Sequence, residues 1–425
     1  MIDNSLQTKR LLMLGGASYA PYLKEYANAK GFQLLAAGNQ LNPVMEQYTD
    51  EFYMAEATNV EQICELVQKE KIDGIVALGN EDIINSVIDV AQKCHLSFYL
   101  NKNHWNELQN KENFKKHCRE FDIDTVEEYY ISSQTSEEEL GKLPYPLVFK
   151  PSDSCGSKGI TICYNADEIK NAIQKALTFS RSNEFIVEKF MQCPEFIVSY
   201  IIVDGKVHIW MLGDRHMNTQ QKGLGALSNL SVYPSRFSDL YLNTVHKKME
   251  KLLTAYGPKN GTMFIQGFVD NGKIRFFDPG LRFCGTLDTI LYTDICGVNP
   301  LHWMVNHSLV GKMCATNDLE KMDYRLYGKV GAQLSIIVYP GCIKKIEGIE
   351  AVRAFPEVIS TVQLLQEGDI VDMVGTLQQV LVRIHLVVDN KKKLLETVEK
   401  IYNTIRVTNV DGEEMKMPYI QNYDL

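Results

Sequence analysis

The stretch Pro146-Leu147-Val148-Phe149-Lys150-Pro151-Ser152-Asp153-Ser154-Cys155-Gly156-Ser157-Lys158-Gly159-Ile160 is an apolar run ending in a lysine, then a small hydroxyl-rich loop with two glycines. A second apolar run, Ile160-Thr161-Ile162-Cys163, follows. The order reads as strand, loop, strand. Such a loop can fold its backbone N–H groups over phosphate oxygens, while a lysine at its base supplies positive charge. Lys150 is the first candidate for that role. Lys111, in a helical stretch upstream, is another, although a helix lysine taken alone reads as a solvated side chain. Glu188-Lys189-Phe190-Met191 leaves a third apolar strand, with Glu195 seven residues beyond Glu188. Chain leaving a strand offers a backbone C=O and N–H to the adenine amino group and ring nitrogen, and a carboxylate takes ribose hydroxyls. The plain alternative is two surface acids flanking a turn. Gln266 lies on one strand, and Asp278-Pro279-Gly280-Leu281-Arg282 ends the next. The turn Asp270-Asn271-Gly272 sets these strands side by side, so Gln266 and Asp278 can offer oxygen ligands to a hard cation such as Mg²⁺. Arg282 suits a phosphoryl group or a carboxylate. An ordinary hairpin with polar ends is the plain reading here too.

These residues need elements to hold them. Arg10–Leu14, Phe32–Ala37 and Gly74–Leu78 read as buried strands, alternating with helices over Tyr19–Lys30, Val60–Lys69 and Asp82–Cys94. Repeated βα units imply a parallel, doubly wound sheet. Gly15-Gly16 lacks the GxGxxG pattern, so a βα turn or a substrate-facing loop is expected there rather than a dinucleotide site. A connecting helix follows over Asn110–Phe121. An α+β unit comes next, with strands at Val126–Ile131 and Phe185–Glu188 and a helix at Ala166–Ser180. Hairpins are expected through Asp204-Gly205 and Asp270-Asn271-Gly272. Between them, Asp214–Ser235 is polar and reads as a long functional loop carrying Arg215, His216 and Lys222. Arg215 is a candidate phosphate or carboxylate contact, while His216 reads as a plain loop residue.

Composition bounds the partners. A chain of 425 residues predicts about two to four domains. With 45% hydrophobic and 23% charged residues it reads as globular, and a net charge of -9 argues against nucleic acid or anionic membranes as partners. No apolar run reaches the roughly 20 residues that cross a bilayer. The ten cysteines include no CxxC pair, and the N-terminus lacks a signal-peptide pattern, so reduced thiols in the cytoplasm are expected.

In order and spacing these pieces resemble the ATP-grasp superfamily over nearly the whole chain, in its carboxylate–amine ligase type. The resemblance is to L-amino-acid ligases, glycinamide ribonucleotide synthetase and the carbamoyl-phosphate synthetase large subunit. It implies an α/β and α+β architecture: an N-terminal pre-ATP-grasp doubly wound sheet over 1–105, a connecting helix over 106–125 and a lid over 126–190. A core over 191–330 carries the metal and phosphate strands, and a subdomain over 331–425 completes an antiparallel C-terminal lobe. By resemblance, Lys111 and Lys150 match the nucleotide lysines, and Ser152–Gly159, with Ser154, Gly156, Ser157 and Gly159, matches the phosphate loop. Glu188, Lys189 and Met191 match the adenine hinge and Glu195 the ribose acid. Gln266 and Asp278 match metal ligands, and Arg282 the residue on the transferring phosphate. Gly348, Gly368-Asp369 and Arg383 resemble the closing subdomain. One departure stands out: the family pattern acid-x-Asn-x-Arg has Gly280 where its asparagine ligand belongs.

The activity implied is ATP-dependent ligation with Mg²⁺, or Mn²⁺ as a substitute. A carboxylate, amino acids included, takes the γ-phosphate and is then captured by an amine or thiol, releasing ADP and phosphate. A homodimer is compatible with the resemblance. Two other readings stay open: a purine-pathway phosphoribosylglycinamide-type synthetase, and an ATP-binding sensor or scaffold with weak or no turnover, motivated by Gly280.

Overall fold

Four short strands open the chain: β1 (Arg10–Leu14), β2 (Gln33–Gly38), β3 (Glu51–Met54) and β4 (Gly74–Ala77). They form a parallel sheet in the order β3-β2-β1-β4, crossed by helices that include Ala20–Lys30, Val60–Lys69 and Glu81–Cys94. Leu11, Leu12, Met13 and Leu14 have no exposed surface, as a parallel strand covered on both faces requires. The edge strand β3 is not anticipated by the sequence reading, because Glu51-Phe52-Tyr53-Met54 is partly exposed and lacks an apolar run. Gly15 and Gly16 adopt left-handed φ values of 67° and 64°, and a Cβ on Gly16 would lie 2.5 Å from that of Leu78. The pair is a close-packed βα turn. This computed structural model describes residues 5–132, 135–153, 158–218, 226–372 and 374–419.

The connecting helix, Lys111–Glu120, is capped by the Asn110 side chain, which accepts from Asn113 N–H at 3.0 Å. A three-stranded antiparallel sheet follows, β6-β5-β7, from β5 (Leu147–Pro151), β6 (Thr161–Cys163) and β7 (Phe185–Lys189). The helix Ile169–Thr178 closes it with Ile169 and Ala172 over Leu147, Phe149 and Val187. The strand expected at Val126–Ile131 is instead an extended strap. Val126 N–H donates to Phe276 O at 3.1 Å and Tyr129 N–H to Val187 O at 2.9 Å, so its hydrogen bonds are divided between two sheets.

An eight-stranded antiparallel sheet dominates the remainder. Its strands are β8 (Glu195–Val203), β9 (Lys206–Asn218), β10 (Leu227–Tyr233), β11 (Gly261–Asp270), β12 (Lys273–Gly280), β13 (Val330–Ile337), β15 (Val358–Gln363) and β17 (Val380–Val388). Their order is β12-β11-β8-β9-β10-β13-β17-β15. A small sheet, β16-β14-β18, joins β14 (Gly341–Glu347), β16 (Ile370–Val371) and β18 (Arg406–Asn409). Both expected hairpin turns form, with φ values of 49° and 80° at Asp204-Gly205 and 49° and 74° at Asn271-Gly272.

The expected loop over 214–235 is not a single loop. Its first residues extend β9 to Asn218 and its last form β10, while Lys222 lies outside the described residues. The reason is a polar sheet face. Arg215, Ser231, Gln333, His385 and Ser360 are successive cross-strand neighbours. The opposite face is apolar: Leu230, Val232, Leu334, Ile384 and Leu386 pack under Leu394, Val398 and Ile401 of the helix Lys391–Thr404.

Candidate active site

The connecting helix buries a stripe at positions 111, 114, 115 and 118, two of them lysines. Phe114 and Cys118 anchor the helix, and the stripe delivers Lys111 and Lys115 to the cleft beside the strap. Lys115 Nζ lies 2.8 Å from Glu128 Oε1 and contacts Glu188 Oε1. On β5, Lys150 Nζ lies 2.7 Å from Glu188 Oε2. Val148 faces Glu188 across the β5–β7 ladder, so Lys150, two residues along, is its diagonal neighbour on one face. Glu188 is thus gripped by two ammonium groups, and Lys111 Nζ lies 3.0 Å from Asp278 Oδ1.

The electrostatics follow. Burial alone would raise the Glu188 carboxyl, but Lys150 and Lys115 outweigh it and hold the group below the ordinary glutamate range. Burial, opposed by Glu188 and reinforced by Lys115 and Lys111, lowers Lys150. For Lys111 burial is overcome by Asp278, with Glu81 and Glu188, and its affinity for the proton rises. Three buried ammonium groups in one trench suit a polyanion. Lys115 is absent from the sequence reading, yet the 111-114-115-118 spacing is a readable signal.

The other predicted residues fall around this trench. Gln266 and Asp278 are directly paired across β11 and β12. Their amide and carboxylate oxygens are the donors a hard cation takes. Among the described residues no group of three or more His, Cys, Asp or Glu is placed to hold a metal, so a cation here would need oxygens from a bound polyanion as well. Gly280 faces Phe264 on the same ladder, and a Cβ at 280 would lie 2.4 and 2.5 Å from two ring carbons. The ring occupies the space where any side chain at position 280 would begin. Arg282 lies over the same ring, 5.1 Å from its centroid, and its Nη2 is 3.1 Å from Glu81 Oε1 of the N-terminal unit.

Where the chain leaves β7, Lys189 N–H donates to Glu127 O at 3.0 Å and Phe190 N–H to Pro146 O at 3.2 Å. Met191, next along, is partly buried. Glu195 and Arg215 are cross-strand partners 2.6 Å apart, so the two are brought together as one ion pair. Burial raises the Glu195 carboxyl against the pull of Arg215. Gly159 has φ 75°, and a Cβ there would lie 2.8 Å from Pro151 Cγ. Ser154, Gly156 and Ser157 lie outside the described residues.

Comparison with known proteins bears on the fold. The family described as D-ala D-ala ligase C-terminus matches residues 120–221, which run from the end of the helix Lys111–Glu120 past the end of β9. The ATP-grasp enzyme fsqD of Aspergillus fumigatus is 30% identical over 141 residues, 32% of this chain and 25% of that protein. The aligned region therefore spans about a quarter of that relative's length. Among solved structures, the L-amino acid ligase from Bacillus licheniformis superposes with a TM-score of 0.76 at 17% identity, covering 95% of this chain and 99% of that one. The biotin carboxylase domain dimer of Hydrogenobacter thermophilus 2-oxoglutarate carboxylase, in complex with MgADP, ADP and bicarbonate, gives 0.74 at 15% identity, covering 96% and 92%. The N-terminal parallel sheet, the three-stranded sheet and the large antiparallel sheet thus compose an ATP-grasp fold, and over residues 120–221 the chain is similar to the D-ala D-ala ligase C-terminus family.

Proposed function

We propose that the chain is an ATP-dependent ligase that activates a carboxylate as an acyl phosphate and passes it to an amine or thiol. The observation that carries this reading is the convergence of Lys111, Lys115 and Lys150 with Glu188 and Asp278 on one trench. Lys111 and Lys150 neutralise the triphosphate, and the Lys189–Met191 backbone meets the adenine. Mg²⁺ held by Gln266, Asp278 and the phosphate oxygens would supply charge neutralisation at the transferring group.

In the first step a substrate carboxylate oxygen attacks the γ-phosphorus, the bond to the β-phosphate oxygen breaks, and ADP leaves. In the second, the nucleophile adds to the acyl carbon, phosphate departs and the nucleophile loses its proton. Such chemistry asks mainly for positioning and charge stabilisation. Arg282 meets the transferring group once it exchanges Glu81 for substrate. The lid keeps water from the acyl phosphate. The test is incubation with ATP, Mg²⁺, hydroxylamine and a panel of carboxylates, amino acids included. Hydroxamate and ADP formed in equal amounts from at least one carboxylate are expected; ADP release that no carboxylate stimulates would overturn the assignment.

A second reading, nucleotide binding without turnover, is favoured by the loss of a ligand position at Gly280. It expects nucleotide binding and no hydroxamate in the same assay.

A further inference from the structure

The strand end that carries Asp278 and Arg282 is held by side chains from another part of the chain. β12 leaves its ladder with β11 at Gly280, opposite Phe264. Leu281 follows, between Gly280 and Arg282, and is 1% exposed. A peptide buried in this way needs partners for its N–H and its C=O. Both partners are side chains. Leu281 N–H donates to Gln109 Oε1 at 2.8 Å, and Leu281 O accepts from the Tyr99 hydroxyl at 2.7 Å.

Both of these side chains are anchored. Gln109 closes a five-residue π-helical turn, Trp105–Gln109, and Lys111 opens the next helix two residues on. Turns of this kind are rare and are frequent at functional sites. The same short segment meets β12 twice, at Asp278 through Lys111 and at Leu281 through Gln109. Tyr99 is buried, with its ring against the start of β11: a Cβ on Gly261 would lie 2.9 Å from Tyr99 Cδ2. Burial raises the Tyr99 phenol well above its ordinary range, against the pull of Arg282, so the hydroxyl stays a donor. Glycine at 280 gives the backbone before Leu281 more conformational freedom than another residue would. The two hydrogen bonds restrict that freedom where Arg282 begins.

We propose that Gln109 and Tyr99 are positioning residues that clamp the Leu281 peptide and so set where the Arg282 guanidinium meets the transferring phosphoryl group. This rests on the ligase reading and extends it to two residues that act through the backbone. Arg282 is the next residue in the chain, and a displacement of about 1 Å at a reacting centre costs on the order of 100-fold in rate. Deleting either hydrogen bond leaves a buried backbone group without its partner and lets the strand end shift.

The test is steady-state hydroxamate formation by the full chain, with ATP, Mg²⁺, hydroxylamine and the carboxylate of the panel that gives most product. Gln109→Met keeps the side chain's length and removes the acceptor; Tyr99→Phe removes only the hydroxyl. Each should lower kcat by about tenfold or more, with KM for ATP and calorimetric MgADP affinity within about twofold of wild type. Gln109→Glu keeps an acceptor oxygen and should recover most of the rate. In an Arg282→Lys background the effect of Gln109→Met should shrink to about threefold or less, because the clamp acts through the guanidinium, whereas a merely structural role lowers both backgrounds alike. If one of the two deletions does not fold, the other decides. Turnover within about twofold of wild type in the folded variants, or an equal loss in the two backgrounds, overturns the positioning role and leaves the ligase reading standing. No hydroxamate from the wild type with any carboxylate overturns the ligase reading, and this role with it.

Discussion

At the scale of single residues, the trench is governed by a buried carboxylate shared between two ammonium groups. Replacing Lys150 with methionine leaves Glu188 with Lys115 alone. The stability loss, read by urea denaturation, should fall below the roughly 3–5 kcal/mol typical of stranding a buried charge, because one partner remains. Nucleotide affinity should fall at least tenfold. Glu188 is held below its ordinary value, so its contribution to stability is complete above the unfolded value of 4.5 and is lost as pH falls through its lower folded value. The stability gap between wild type and Glu188→Gln should therefore shrink on acidification from pH 5 to pH 3, measured by chemical denaturation. Asp288 behaves in the opposite sense. Burial pushes it up to about 6, against Thr286, Tyr233, Arg383 and Arg215, which favour its charged form. Its neutral form is favoured by the fold, so stability is complete below the unfolded value of 3.8 and is lost as pH rises through about 6. Asp288→Asn should gain on wild type between pH 4 and 7, by up to about 3 kcal/mol, from 1.36 kcal/mol per unit.

At the scale of elements, the β11–β12 hairpin couples packing to chemistry. Phe264 fills the space above Gly280 and supports the Arg282 guanidinium. Gly280→Asn places a side chain against the Phe264 ring and should destabilise by about 1–3 kcal/mol through overpacking. In the double variant with Phe264→Ala the two losses should add to less than their sum in thermal denaturation, because the ring that opposes the new side chain is gone.

Elements also mark what sequence can and cannot reveal. Both hairpins are legible because Asp-Gly and Asn-Gly specify left-handed turns locally. Lys150 and Asp278 are legible because each ends an apolar strand where solvation alone would not place a charge. The partners are not legible. The Glu195–Arg215 and Lys111–Asp278 pairs depend on ladder register and on the strap, which sequence spacing does not encode. β9 and β10 run polar because their inner face belongs to a polar row spanning five strands, and alternation against an apolar core is the signal a reader looks for. Arg383 and Asp288 become neighbours only through the packing of the Cys284–Asp288 segment on that row.

At the scale of the whole molecule, two consecutive acids at the start of the helix Glu81–Cys94 touch both other parts. Glu81 meets Arg282 of the core, and Asp82 meets Arg181 beside the lid helix. Arg181 and Asp82 are both substantially exposed, so their pair contributes under about 1 kcal/mol to global stability. It links the segment after the helix Ile169–Thr178 to the N-terminal unit. Arg181→Ala should speed amide hydrogen exchange over residues 158–189 while leaving the melting temperature nearly unchanged; unaltered exchange there would show that the pair does not restrain this segment.

Three lysines and their carboxylates form the proposed nucleotide cleft. Calorimetric titration of MgADP into the full chain tests this directly. Saturable one-to-one binding, weakened at least tenfold by Lys150→Met, is the result predicted here. A folded wild-type chain that takes up no MgADP, or a Lys150→Met variant that binds it as tightly as wild type, would contradict it.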